Sequence, residues 1–212
     1  MRWLKHAGFI VLLLLAVPLA FNALSYLNFD FTYGFLQLKR RAIETGWYLP
    51  AYYAHVLVAG IILVIGILQI HPVWGLRWRS LHRIFGKIYV GGILFFSAPG
   101  GLIMSLFIGR GNVVLTSFIL QCSLWFASTY LAYYYIRKGD VQAHRQWMLR
   151  SYSLTLAAIT LRVYIFLSSW SYDLGQPAAY ATIAWLSWVP NLLICEVYLR
   201  KRSRVNMPVK KF

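Results

Sequence analysis

Apolar residues run through this chain in long stretches, and charged residues are confined to the gaps between them. A helix that crosses a bilayer needs about 20 mostly apolar residues, since each adds about 1.5 Å across hydrocarbon about 30 Å thick. Six windows meet that requirement: 7–27, 48–70, 88–109, 113–136, 151–170 and 178–199. Lipid offers backbone N–H and C=O groups no water to bond, so each window is expected to be helical. The pattern predicts an all-α, polytopic transmembrane bundle of about six helices. It forms a single integral membrane domain over residues 1–212 that ends in a basic tail, 200–212. No internal repeat, low-complexity tract or soluble domain interrupts it.

The first window admits a second reading. Arg2 and Lys5 ahead of Ala7–Ala20 have the order of a signal peptide's basic and apolar regions. However, Phe21-Asn22-Ala23 lacks the small-x-small cleavage pattern, so a retained first helix is expected.

Composition agrees with the pattern. The chain has 212 residues, 60% of them hydrophobic and 12% charged, with a mean hydropathy of +0.60. Soluble domains carry about 25% charged residues, which excludes that class. Nine Trp and fifteen Tyr suit aromatic belts at two membrane interfaces.

A formal charge of +16 would point to nucleic acid in a soluble protein. Here the basic residues border apolar runs, so anionic lipid headgroups at the cytoplasmic face are the expected partners and nucleic acid is not. With the N-terminus inside, only Lys39, Arg40, Arg41 and Arg110 of the 21 Lys and Arg fall outside, and Arg162 falls within a span. Both termini are therefore expected in the cytoplasm, and the chain in a bacterial inner (plasma) membrane. The outer cluster Lys39-Arg40-Arg41 lies in the longest external loop, beside Phe35, Leu36 and Leu38. A short helix along the membrane surface or a solvated loop would each explain it.

Ionisable groups inside a bilayer are costly, about 2.5–3.5 kcal/mol for an Arg at a helix centre, and usually face the bundle interior. Arg162 lies about 12 Å below the outer end of its window, on a face with Ser151, Thr155, Ala158 and Ser169. His55 lies about 10 Å, and Gln121 about 12 Å, below the outer ends of theirs. Pro99-Gly100-Gly101 falls at a similar depth and can bend its helix and admit a close neighbour. His55, Gln121, Arg162, Gly100 and Gly101 thus form a candidate ligand site for a small molecule in the outer half of the bilayer. A buried hydrogen-bond network that only holds helices together is the competing reading.

At the opposite boundary stand two His-Arg doublets, His82-Arg83 and His144-Arg145, each ahead of an apolar run. With Arg150 they form a second candidate cluster, for which positive-inside topology and lipid headgroups are the ordinary explanation. Glu196, near the end of the last window, is expected at the same level. Asp140, after Gly139, suits a tight turn. Cys122 and Cys195 lie inside apolar runs without C-x-x-C spacing, so they read as buried hydrophobes and no metal site is expected.

Two resemblances bear on these residues. His82-Arg83-x-x-Gly86-Lys87-x-Tyr89, His144-Arg145-x-Trp147-Met148-x-Arg150-Ser151-Tyr152 and Thr160-Leu161-Arg162 resemble a bacterial family of predicted membrane proteins known only by a domain-of-unknown-function label. His55, Gly66, Gln69, Pro99-Gly100-Gly101 and, in the last window, Tyr180, Trp185, Trp188, Asn191 and Glu196 extend the likeness. It implies an integral membrane protein and no particular reaction. A weaker likeness to the transmembrane b-type cytochromes implies at most one haem b with two histidine ligands, His82 and His144 at the inner boundary, with Arg83, Arg145 and Arg150 to meet its propionates. His55 with Arg162 near a propionate is the alternative arrangement.

Three functions follow as expectations. One is a redox protein that uses haem b or a quinone. Another is a carrier for a small solute or lipid, and the third is a non-catalytic assembly protein. No Ser-His-Asp set, phosphate-binding loop or nucleotide fingerprint is visible.

Overall fold

A computed structural model describes residues 2–70, 78–168, 170 and 177–205. Arg77, Ser169 and the tail from 206 onward lie outside them. The regular structure of the described residues is all helical, with six helices long and apolar enough to cross a membrane. The protein is thus an all-α, polytopic helix bundle. "Inner" and "outer" below name the basic face and its opposite.

The first span is α1 (Arg2–Leu24). A short helical turn, α2 (Arg40–Ile43), follows on the outer side, and α3 (Tyr48–Ile70) returns. The third span is composite: α4 (Arg79–Gly92), a π-helical turn over Ile93–Ser97, and α5 (Ala98–Leu106). Next come α6 (Asn112–Arg137), then α7 (Val141–Thr155) continued by α8 (Ala157–Ser168). The last span is α9 (Pro177–Leu186) continued by α10 (Val189–Val205). The third and fifth spans start at Arg79 and Val141 and so draw both His-Arg doublets into helix. At about 1.5 Å per residue, each such span outruns a hydrocarbon layer about 30 Å thick, and its first turns lie at the headgroups.

Local chemistry sets the joints. Gly139 adopts φ +82° to end α6, and Asp140 caps α7 by accepting the Ala143 N–H at 2.8 Å. That tight turn makes α6 and α7 antiparallel neighbours. In the third span the Ala98 N–H reaches back to the Ile93 carbonyl, and Pro99 offers no N–H at all. The external cluster takes the short-helix form: Leu36 and Ala42 are buried, and the Lys39 ammonium donates to the Phe107 and Ile108 carbonyls at 2.7 and 3.2 Å.

The bundle is apolar outside and partly polar within. Leu14, Phe21, Phe95 and Ile194 are exposed where lipid would lie, whereas Ser117, Thr129, Ser151 and Ser187 are fully buried. Small residues allow close helix contact: a Cβ on Gly60 would stand 3.1 Å from Ala23 Cβ and 3.3 Å from Ala20 Cα, so α1 lies directly along α3.

Candidate functional site

In the outer half, α3 and the third span meet at His55. Its Nδ1 lies 2.6 Å from the Ser97 carbonyl, which can only accept, so Nδ1 carries the proton. The neutral ring then keeps a lone pair on Nε2. Two glycines make this approach feasible. A Cβ on Gly100 would stand 2.6 Å from the Ala51 carbonyl oxygen, and one on Gly101 would stand 2.8 Å from His55 Nδ1 and 2.9 Å from Cys122 Sγ. The His55 ring also meets the Trp125 ring edge-on, with 6.4 Å between centroids.

Two oxygens of this region lack partners. Among the described residues, Ser97 Oγ and Gln121 Oε1 are buried without a hydrogen bond. A buried unsatisfied group costs about 1–3 kcal/mol, so the Gln121 oxygen calls for a donor and the Ser97 hydroxyl for a partner of either kind.

Arg162 corrects one expectation. It does not face the bundle interior; it is exposed in a crevice of about 240 Å³ between α1 and α8, walled by Leu15, Leu19, Ile159, Val163 and Phe166. The register shifts because the turn between α7 and α8 is tightened, with the Ile159 N–H bonded to the Leu156 carbonyl at 2.9 Å. Ser151 and Thr155 therefore point inward while Arg162 does not. Arg162 Nη1 donates to the Ala158 carbonyl at 3.0 Å. Because α8 runs outward, that contact draws the guanidinium deeper into the bilayer. It stays within electrostatic reach of Tyr26, Tyr52, Tyr180 and His55.

At the inner boundary, His82 and His144 lie within electrostatic reach of each other. His144 Nδ1 donates to the Ala132 carbonyl at 2.8 Å, leaving Nε2 as its open nitrogen. His82 Nδ1 is buried without a partner among the described residues, and its backbone carbonyl accepts from Gln69 at 3.1 Å. The arginines disperse. Arg83 is exposed, and Arg145 turns to a groove between α7 and α10. Arg150 is held by Glu196 through two bonds of 2.5 and 3.0 Å, and its guanidinium covers the Trp147 ring at 4.5 Å. No cluster of three or more His, Cys, Asp or Glu able to hold a metal occurs among the described residues.

Between these layers lies a network that sequence reasoning missed. The Tyr89 hydroxyl is 3.1 Å from Ser151 Oγ and 2.8 Å from Thr155 Oγ1. Trp125 donates to Thr155 at 2.9 Å, and Thr129 bonds Ser151 at 2.7 Å. Beside it, the Tyr152 ring fills the space a side chain on Gly66 would take. The signal was present: Tyr89 and Ser151-Tyr152 close the two His-Arg motifs.

The last span behaves alike. Trp185 donates to the Val113 carbonyl at 3.3 Å, Trp188 to Ser117 at 3.0 Å and Asn191 to Thr160 at 2.8 Å. Those residues join helices.

Sequence comparison now separates lineage from chemistry. A profile of the predicted membrane protein family DUF2306 matches residues 52–199, and the chain belongs to that family. No curated protein and no solved structure matches it. The weaker likeness to b-type cytochromes gains no support from these comparisons. The matched segment spans α3 to α10, and so contains His55, both doublets and Arg162.

Proposed function

We propose that this family member is a redox-type protein of the bacterial inner membrane that takes a quinone from the lipid into its outer half. Arg162 is the observation that carries the reading. An arginine at that depth ordinarily stretches toward the headgroups, which recovers much of its desolvation penalty. Here it bends one turn deeper, into a crevice with apolar walls that opens sideways to lipid. A quinone fits such a place: its ring carbonyls need donors and its isoprenoid tail needs an apolar slot. Arg162 offers guanidinium N–H groups, Tyr52 and Tyr180 lie within electrostatic reach of it, and His55 Nε2 offers a proton acceptor beside them.

Protein in lipid nanodiscs should quench its tryptophan fluorescence when titrated with a short-chain quinone, and quinone should be extractable from purified protein. Arg162→Leu should insert normally yet weaken binding by about tenfold or more, the worth of a charge-assisted contact. Arg162→Lys should restore only part, lacking the planar fork. Equal quinone affinity in wild type and Arg162→Leu would remove the reading. Solute uptake by proteoliposomes would then favour the carrier, and its absence the assembly role.

A second reading rests on its own observation. His82 and His144 approach each other from different helices, and His144 has the fixed tautomer of a histidine whose Nε2 serves as a ligand. These two residues would hold haem b, which when bound supplies a one-electron carrier able to exchange electrons with a quinone. The buried, unpartnered His82 Nδ1 fits less well, since a ligating histidine usually donates its second nitrogen. A dithionite-reduced difference spectrum tests it: His82→Ala and His144→Ala should each abolish the haem absorbance. Colourless wild-type protein grown with ample haem removes the haem and leaves the quinone site standing.

A further inference from the structure

A different cavity, on the inner side, carries a separate inference. Between α7 and α10 lies a groove of about 340 Å³, lined among others by Gln142, Arg145, Gln146, Leu149, Leu199 and Arg202. The first four recur at helical spacing and so share one face of α7, while Leu199 and Arg202 share a face of α10. The two helices run in opposite directions. Each nevertheless layers the groove in the same order, with Arg or Gln at the boundary and Leu one turn deeper.

We infer that this groove is a binding site for the phosphate headgroup of an acidic phospholipid, with an acyl chain on the leucines below. The charge balance favours it. Glu196, the carboxylate nearest the groove floor, is held in a two-bond pair by Arg150, and Asp140 accepts the Ala143 N–H as the cap of α7. Neither carboxylate neutralises the groove's arginines. Arg202 is steadied by Tyr198, whose hydroxyl accepts from Nη1 at 3.0 Å and leaves the other guanidinium N–H groups for a ligand. Arg145 is exposed into the same space. Two planar donors over an apolar floor match a phosphodiester better than a simple counter-ion. The groove also opens at the first turns of α7, where the helix dipole adds positive potential. Basic residues scattered over the inner face attract anionic headgroups in general. This groove adds shape to that attraction.

The full chain, delipidated in detergent, is titrated separately with phosphatidylglycerol, phosphatidylcholine and glycerol phosphate. Retained lipid is counted by native mass spectrometry, and binding by thermal shift. Phosphatidylglycerol should bind and stabilise, while phosphatidylcholine and the soluble phosphate should do neither. Arg145→Gln with Arg202→Gln should weaken phosphatidylglycerol by about tenfold per arginine, and Arg145→Lys with Arg202→Lys by less. Arg83→Gln with Lys87→Gln, the same charge loss on exposed residues of α4, should leave binding unchanged. If that control pair weakens binding equally, the attraction is diffuse and the site falls. If glycerol phosphate binds as tightly as the lipid, or phosphatidylcholine does, the lipid assignment falls. Should the Gln pair fail to fold, Leu149→Trp, which fills the groove floor, must still reduce phosphatidylglycerol retention, and undiminished retention overturns the inference.

Discussion

The bundle holds two polar regions built on opposite principles. Around Tyr89 the hydroxyls of Ser151, Thr155 and Thr129 and the Trp125 N–H all give or take bonds of 2.7–3.1 Å, and the neighbouring Tyr152 hydroxyl alone in this network is buried without a partner among the described residues. Around His55 the polar groups are left partly unmatched, with Ser97 Oγ and Gln121 Oε1 buried and unpartnered among the described residues and Arg162 drawn deeper along its own helix onto the Ala158 carbonyl. A closed network holds helices together and has no bond to spare for a ligand. An open one leaves specific donors and acceptors waiting, at a standing penalty in stability. The difference separates two regions that residue type alone would confuse, since both consist of hydroxyls, rings and small residues.

The largest expected effect comes from the glycines that seat each region. A methyl on Gly66 would stand 2.3 and 2.5 Å from two carbons of the Tyr152 ring, which is itself only 4% exposed. Neither ring nor backbone has room to yield, so Gly66→Ala should destabilise by about 3 kcal/mol or more, at the upper end of overpacking. On Gly101 the nearest atoms are His55 Nδ1 at 2.8 Å and Cys122 Sγ at 2.9 Å. There a side chain can swing aside, so Gly101→Ala should cost about 1–2 kcal/mol and mainly disturb quinone affinity. Detergent unfolding curves set beside quinone titrations of both variants measure the contrast. Equal loss of stability in the two would show both regions to be closely packed and break the comparison.

Removing one hydroxyl from each region should change stability in opposite directions. Tyr89→Phe deletes the bonds to Ser151 and Thr155, but these keep other partners, so the loss should be about 1 kcal/mol. Ser97→Ala deletes an oxygen that has no bond to lose and keeps the backbone carbonyl that holds His55. It should raise stability by up to about 1 kcal/mol. A lowered midpoint for Ser97→Ala would mean that its hydroxyl is satisfied, and the outer layer would then be no more open than the inner network.

Much of this was legible in the chain. Six spans follow from apolar run length, because lipid leaves the backbone no alternative to helix. The meeting of His55 with Gly100 and Gly101 followed from shared depth plus missing side chains. Facing was harder. A serine or threonine in a helix looks the same in sequence whether it faces lipid or a tyrosine, so the Tyr89 network stayed hidden inside motifs already noted for their histidines. Arg162 was assigned to the interior by counting residues along an ideal helix, and the tightened turn at Leu156 defeats that count. The π-helical turn at Ile93–Ser97, which presents the Ser97 carbonyl to His55, has no sequence signature in this run of apolar residues.

The smallest effect concerns the outer rim, where Lys39 belongs to the closed kind of region. Its ammonium donates to the Phe107 and Ile108 carbonyls just past the end of α5, groups with no continuing helix to satisfy them. Lys39→Met should therefore cost about 0.5–1 kcal/mol and loosen the outer loop, without reaching His55. Burial, and then the nearby Arg110, hold the Lys39 pKa below the ordinary value of 10.5. The folded state therefore releases this proton more readily than the unfolded one. Where the unfolded chain binds more protons, stability rises with pH. The contribution of Lys39 should accordingly grow as pH climbs through its folded pKa and level off above 10.5. The measurement is the difference in unfolding free energy between wild type and Lys39→Met at pH 8 and near pH 10, which cancels the tyrosines and other lysines that titrate in the same window. A difference that widens in favour of wild type at the higher pH supports a partly buried ammonium on the α5 carbonyls. One that narrows would mean that Lys39 is held chiefly by its charge, and that the rim, like the His55 layer, is not closed.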